Sequence, residues 1–142
     1  MIYGFEGVLD GAPRELQDYI LEAENFMFTG SRVFGYAQED SDYDVVVYRP
    51  EATKDDSLPF EMHQLSTQPD YGVDYGQPLN FKVITDTSRG APVLLNVIVT
   101  NTEEAFHQWA RSRDIVLRLR DIGVPINRLV SLAVHQGMRG DQ

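Results

Sequence analysis

The sequence predicts an α+β fold, with one mixed sheet of about four strands and helices packed against it. Four segments, 26–28, 44–48, 79–85 and 93–100, are apolar or rich in β-branched residues, which is typical of buried strands. Apolar residues at helical spacing precede the first segment and follow the last. The resulting order is helix, two strands, a long insert, two strands and two helices, which favours a single sheet covered by helices.

Each predicted helix has a recognisable start. Pro13 and Pro125 suit the first turn of a helix, and Asn101 or Thr102 can cap the helix between them. The helical spacing predicts three buried stripes. They are Leu16, Tyr19, Ile20 and Ala23 in the first helix, Phe106, Trp109, Val116 and Leu117 in the second, and Ile126, Leu129, Val130, Ala133 and Val134 in the third.

The insert, residues 49–78, holds four prolines and two glycines. Its apolar cluster between Leu58 and Leu65 suggests a short helix inside a long loop. Tyr71 and Tyr75 could stack on a base, but we favour surface tyrosines of a loop. Farther on, the polar residues 86–90 suit the turn of a hairpin between the last two strands.

Composition limits the class of protein. A chain of 142 residues, 42% of them hydrophobic, fits one compact domain spanning residues 1–142. It has no cysteine, so any metal must be held by Asp, Glu, His or Asn, and the three histidines lack zinc-ligand spacing. No segment reaches the roughly 18 apolar residues of a membrane span. We therefore expect no membrane partner and a cytoplasmic location.

The net charge is −10, which argues against broad binding to nucleic-acid phosphates. Positive charge gathers only in the four arginines between residues 111 and 120, which we interpret as a solvated helix face.

Two carboxylates stand at the start of the second strand. Asp42 and Asp44 are spaced i and i+2, so they should point to one face, where a divalent cation such as Mg²⁺ would relieve their repulsion. Upstream, Gly30-Ser31 lies between a strand and a predicted short helix, where backbone and hydroxyl can approach a phosphate. Arg32 adjoins Ser31 and is a further candidate phosphate contact, as is Lys82 on a later strand. This combination indicates a site that positions a nucleoside triphosphate.

The same segment resembles a known family motif. In order, it carries Gly30, Ser31, Arg32, Gly35, Ser41, Asp42 and Asp44 ahead of an apolar strand. This run resembles the signature of the DNA polymerase β-like nucleotidyltransferase superfamily, and of its minimal single-domain members. Residues 95–109 are similar to small nucleotidyltransferase-like proteins of tailed bacteriophages. The resemblance implies Mg²⁺ or Mn²⁺ on Asp42 and Asp44, and a nucleotide on Gly30, Ser31, Arg32 and Ser41.

One position departs from that family. Its members usually carry a third acidic residue on a neighbouring strand, as metal ligand and as base for the attacking hydroxyl. Here the candidate position is Asn96, whose amide can ligate a metal but cannot accept that proton. Another carboxylate could serve, with Asp86 and Glu39 as candidates, or the metal alone could activate the nucleophile, or catalysis could be lost. A buried amide bonded to backbone is an equal alternative for Asn96.

Two functions follow. The first is a metal-dependent nucleotidyltransferase that moves a nucleotide from an NTP to a hydroxyl on RNA, protein or a small molecule, with Asp42, Asp44 and Asn96 as the catalytic set. The second is a catalytically degenerate binding or inhibitor protein on the same fold, such as a phage modulator of a host protein, acting in the host cytoplasm. We predict the first. The substitution at Asn96, the small size with no obvious acceptor-binding domain and the charge of −10 support the second as the alternative.

Overall fold

The computed structural model describes residues 5–38, 41–53, 56, 63–66, 76–86 and 92–137. Within this part of the chain there are five helices and five strands. In chain order they are α1 (Phe5–Asp10), α2 (Arg14–Leu21), β1 (Asn25–Thr29), α3 (Ser31–Phe34), β2 (Tyr43–Tyr48), β3 (His63–Ser66), β4 (Leu79–Asp86), β5 (Pro92–Thr100), α4 (Glu103–Asp121) and α5 (Arg128–Gly137).

The strands form one mixed sheet in the order β1-β2-β5-β4-β3. The β2–β5 pair is parallel, and the other three pairs are antiparallel. The predicted α+β class with a mixed sheet is therefore confirmed. β3 is an additional edge strand. The short helix expected near 58–65 is wrong at Leu65, because residues 63–66 form this strand and obtain backbone partners from β4.

One face of the sheet carries the larger core. Alternate residues of β2, β4 and β5 point to this face, and helices α1 and α2 cover it. Val45, Val47, Val97 and Val99 are fully buried there. Burial of each such side chain contributes about 1.5 kcal/mol or more. This layer makes the sheet a rigid platform for the side chains on its other face.

The opposite face packs against α4. Val46 and Ile98 contact Phe106 there, and Trp109 lies at the edge of this smaller core. The helix begins where the Thr102 hydroxyl accepts a hydrogen bond from the backbone N–H of Ala105, at 3.1 Å, so the predicted cap is present. Beyond this core, the same face stays open and forms a cavity between the sheet and the last two helices.

The predicted buried face of the last helix is wrong at Leu129 and Ala133, whereas Val130 and Val134 are half-buried. Leu129 is 77% exposed and Ala133 is also exposed, whereas His135 is the buried residue of α5. The helix is oriented by its contacts with α4, where the side-chain amide of Gln108 donates to the His135 carbonyl oxygen at 2.7 Å. In the described ranges, no helix combines the length and apolarity needed to cross a membrane.

Candidate active site

The turn between β1 and α3 brings backbone against a carboxylate. Gly30 has φ +86°, and a Cβ placed on it would lie 1.9 Å from Asp44 Oδ2. Only glycine fits this position, because both its backbone conformation and its lack of a side chain are required. Ser31, the first residue of α3, lines the cavity beside Asp44. The packing thus joins the Gly30-Ser31 turn to the Asp44 carboxylate.

Strand register brings four polar residues into one row across the sheet. Successive partners in that row are Thr29 on β1, Asp44 on β2, Asn96 on β5 and Lys82 on β4. Directly paired residues share a face, and all four line the cavity, as does Asp42 just before β2. The structure therefore brings together Gly30, Ser31, Asp42, Asp44, Asn96 and Lys82.

Each aspartate has a partner from another strand. The Asn96 side-chain nitrogen donates to Asp44 Oδ1 at 2.9 Å. The Lys82 ammonium lies 2.6 Å from Asp42 Oδ2. Asn96 therefore acts as a hydrogen-bond donor toward Asp44, at the position where the family resemblance places a third carboxylate.

The environment of Asp44 disfavours its ionised form. Burial raises the pKa of Asp44 to about 6, and the negative charge of Asp42 acts in the same direction. The hydrogen bond from Asn96 and the charge of Lys82 lower it, but by less. A carboxylate held in this way benefits from any further positive charge that reaches it.

Two amide oxygens at the cavity floor are buried without a hydrogen bond from any residue that the structure describes. They are Oδ1 of Asn80 and Oδ1 of Asn96. Buried acceptors of this kind are normally satisfied by a ligand, an ion or water. We call Asp42, Asp44, Asn80, Lys82 and Asn96 the sheet end of the cavity.

The other end of the cavity is built by α4 and α5, with Trp109, Ser112, Ser131 and His135 among its lining residues. The Ser112 hydroxyl lies 2.9 Å from His135 Nδ1, and the ring centroids of Trp109 and His135 are 3.7 Å apart. Burial lowers the pKa of His135 to about 3, so this imidazole is neutral at physiological pH. We call this group the helix end.

Arg32 does not line the cavity. Its Nη2 donates to the Ser41 carbonyl oxygen at 2.8 Å, and its guanidinium stacks over the Tyr43 ring at 4.5 Å. The Ser41 hydroxyl accepts from the backbone N–H of Gln38. Arg32 and Ser41 are therefore the two predicted nucleotide contacts that the structure does not bring to the cavity lining. Both instead hold the segment that leads into Asp42.

Of the two alternative carboxylates, the structure describes only Asp86, which is not at the site. Asp86 pairs with Pro92 at the far end of the β4–β5 hairpin, four residues beyond Lys82, which is about 13 Å along the strand. Glu39, Tyr71, Tyr75 and the hairpin turn at 87–90 lie outside the described residues. His107 is exposed on α4, away from the cavity lining.

Sequence reasoning missed Asn80 and the partner of Lys82. A signal was present, because β4 alternates apolar Leu79, Phe81 and Val83 with polar Asn80 and Lys82. That period marks a strand whose second face carries polar groups. The residues that those groups contact depend on the order of the strands in the sheet, and the alternating pattern does not predict that order.

The donor set is suited to a hard divalent ion shared with a ligand. In the part of the chain that the structure describes, no group of three or more His, Asp or Glu residues is placed to hold a metal. Asp42 and Asp44 supply two carboxylates, and Asn80 and Asn96 add amide oxygens. Mg²⁺ commonly binds through one or two carboxylates while water and substrate phosphates complete its shell. The residues therefore fit such an ion, though not a closed protein cage.

The cavity measures about 440 Å³, within the roughly 300–1,000 Å³ of small-molecule sites. Comparisons of the chain with protein-family models, curated proteins and solved structures found no match. The resemblance to nucleotidyltransferases therefore stays a prediction that depends on the motif residues.

Proposed function

We propose that this chain is a metal-dependent nucleotidyltransferase that binds an NTP and transfers its nucleotide to a hydroxyl acceptor. The observation that carries the proposal is the contact between the Gly30-Ser31 turn and Asp44, with Asp42 and Lys82 in the same cavity. A glycine turn, a pair of carboxylates and an ammonium group are features that phosphoryl-transfer sites combine in one place.

In this proposal Asp42 and Asp44 hold Mg²⁺ or Mn²⁺, which when bound neutralises phosphate charge and polarises the reacting phosphorus centre. Ser31 and Lys82 hold phosphate oxygens. Asn96 orients Asp44 through its hydrogen bond rather than taking the acceptor's proton. An NTP-dependent activity would place the chain in cytoplasm, the host's if the phage resemblance is correct. The acceptor is a hydroxyl group on RNA, protein or a small molecule.

A catalytically degenerate binding protein is the second candidate. Asp42 and Asp44 already have partners in Lys82 and Asn96, so each carboxylate is stabilised without a metal. The amide at residue 96 cannot act as a base. A protein of net charge −10 also suits a basic partner protein, and modulation of a host protein is the role that the phage resemblance favours.

The single tryptophan of the chain, Trp109, lines the cavity and provides a direct binding signal. We expect MgATP, or another NTP with Mg²⁺, to change its fluorescence at millimolar concentration or below. The Asp44→Asn variant should lose the metal-dependent part of this change. The matched control is Asp114→Asn, which removes the same charge from an exposed position on α4 outside the cavity.

Incubation with α-labelled NTPs and Mg²⁺ or Mn²⁺ then separates the two candidates. An enzyme labels itself, an added RNA or another acceptor, and Asp44→Asn abolishes the label. Protein that binds no metal–NTP and gives no label, while Asp44→Asn leaves partner binding intact, would leave only the binding protein standing.

A further inference from the structure

The Asp42–Lys82 pair is partly shielded from solvent. Its two side chains are only 23% and 25% exposed, and the charged atoms are 2.6 Å apart. Exposed ion pairs contribute little because water and salt screen them, whereas a partly buried pair retains more of its attraction. Lys82 is therefore held on Asp42 more firmly than a surface lysine would be.

The route by which Lys82 reaches Asp42 leaves room for movement. Its backbone is paired with Asn96, and Asn96 is paired with Asp44, so the lysine starts two strands away from β2, about 10 Å. The side chain spans this gap with a flexible four-carbon stem and a compact charged head. Rotation of that stem moves the ammonium within the cavity while the strand stays fixed.

Charge makes Lys82 and a divalent ion competitors for Asp42. With Lys82 in place, the three charged groups of the sheet end sum to −1, compared with −2 for the aspartates alone. A dication bound by Asp42 and Asp44 would meet the lysine's like charge at close range. The same dication would be favoured by the phosphates of a nucleotide, which also attract a released ammonium.

Resting on the proposed function, we infer that Lys82 is a resident counter-ion of Asp42, which the metal displaces and which then binds the phosphates of the nucleotide. Metal and nucleotide binding are thereby linked through one side chain. Metal binding frees the ammonium for phosphate, and phosphate binding keeps the ammonium off Asp42. Such linkage is reciprocal, so each ligand raises the affinity for the other by the same factor.

The inference predicts opposite effects of one substitution. In Lys82→Met, Mn²⁺ binding without nucleotide, followed by the electron paramagnetic resonance of free Mn²⁺, should tighten about tenfold because a like charge is removed. At saturating Mg²⁺, the affinity for ATP, followed by Trp109 fluorescence, should weaken about tenfold because a phosphate contact is lost. A purely structural lysine would weaken both.

Arg14→Met is the matched control, since it removes one positive charge from a pair on α2 whose Arg14 side chain is 82% exposed. It should change neither affinity. Lys82→Gln gives the same two measurements if the methionine variant does not fold, as judged by circular dichroism. Lys82→Arg should retain ATP binding better than Lys82→Met.

The outcomes separate the two proposals. Wild-type protein that binds neither Mn²⁺ nor metal–ATP overturns the proposed function, and the linkage with it. Wild-type protein that binds both, with Mn²⁺ affinity unchanged or weaker in Lys82→Met and Lys82→Gln, overturns only the role assigned to Lys82. If Lys82→Met binds Mn²⁺ more tightly but binds ATP with unchanged affinity, the result contradicts the proposed movement of the Lys82 ammonium to phosphate.

Discussion

The sheet end and the helix end line the same cavity, but charged side chains build the first and mostly neutral polar side chains build the second. At the sheet end, carboxylates and an ammonium stand within hydrogen-bond reach of each other, positioned by strand register. At the helix end, apart from exposed Arg128, the polar groups are neutral and are positioned by the packing of α5 on α4. Burial acts on both, raising the pKa of Asp44 to about 6 and lowering that of His135 to about 3.

This difference shows how a fold divides recognition between its layers. Strand pairing fixes side chains from four strands in one row, so charges can be placed against each other. Helix packing excludes water and favours uncharged surfaces. Under the proposed function, the sheet end suits metal and phosphates, and the helix end suits a neutral group of the ligand.

The largest expected effect is at Gly30. In Gly30→Ala the new methyl group collides with Asp44 Oδ2, and the positive φ adds strain. Together these should lower the free energy of unfolding by about 3–5 kcal/mol and abolish ATP-dependent fluorescence. Gly35→Ala is the control, because Gly35 also has positive φ but a Cβ there meets nothing within 4 Å. Urea denaturation of both variants measures the difference, and equal losses would contradict the collision.

The second prediction uses the opposite pKa directions at the two ends. His135 binds its proton below about pH 6.5 when unfolded but only near pH 3 when folded. Stability from this group is therefore lost as pH falls below 6.5, by about 2 kcal/mol between pH 7 and pH 5. The contribution of Asp44 to stability changes with pH in the opposite direction. Its folded form holds a proton from about pH 6 downward, so acidification to pH 5 adds about 1 kcal/mol.

Substitution of either residue should leave the pH dependence of the free energy of unfolding that the other residue causes. From pH 7 to pH 5, Asp44→Asn should lose more stability than wild type, whereas His135→Gln should lose less or gain. The measurement is urea denaturation of metal-free protein at both pH values. Parallel pH profiles for all three proteins would show that the two ends do not differ in this way.

The third prediction concerns Asn96. In Asn96→Asp the donor to Asp44 becomes a third carboxylate beside two others. Without metal this should destabilise the fold by about 1–2 kcal/mol, because a hydrogen bond is replaced by repulsion. Mn²⁺ should bind about tenfold tighter. Asn25→Asp, at an exposed position at the start of β1, adds the same charge as a control.

Transfer activity sharpens this test. In an active enzyme, Asn96→Asp should leave nucleotide transfer intact or raise it, since it adds a possible base; such assistance is worth roughly 100-fold or more where it applies. In a binding protein the same variant should gain metal affinity without turnover. Weaker Mn²⁺ binding in Asn96→Asp would show that residue 96 does not face the ion.

The sequence could predict what local geometry determines. The two-residue period of a strand predicted that Asp42 and Asp44 lie together, and the composition of Gly30-Ser31 predicted a turn there. The pairing of Lys82 with Asp42 could not be predicted from the sequence, because it depends on the β2-β5-β4 strand order. Adjacency in sequence was misleading for Arg32, which follows Ser31 but points to Ser41.

Two features of the fold, the strand β3 and the buried side of α5, were not predicted, for a related reason. β3 exists through pairing with β4, and its four residues carry too short a pattern to identify. In α5, the spacing of Leu129 indicated burial, but α4 and the cavity decide which side of that helix is covered, and His135 lies there. Both cases depend on partners that are distant along the chain.

The smallest expected effect lies in the arginine cluster of α4, two of whose members reach the edge of the site. Arg113 Nε donates to the Phe28 carbonyl oxygen at 2.8 Å, and Arg120 Nη1 donates to that of Val33 at 3.1 Å. These two carbonyls lie on either side of the Gly30-Ser31 turn. α4 therefore holds the turn from both flanks, while Arg111 and Arg118 are exposed as the helix face predicts.

Arg113→Met should therefore loosen the turn without removing any group that touches the ligand. We expect a loss of about 1 kcal/mol in the free energy of unfolding, the usual contribution of one hydrogen bond, and ATP affinity about threefold weaker by Trp109 fluorescence. Mn²⁺ affinity should stay unchanged, because Asp42 and Asp44 are held by other contacts. Arg111→Met removes the same charge from an exposed position of the same helix and should alter none of these quantities. Equal effects of the two substitutions would mean that the arginines act on the ligand through net charge, and that the turn does not depend on α4.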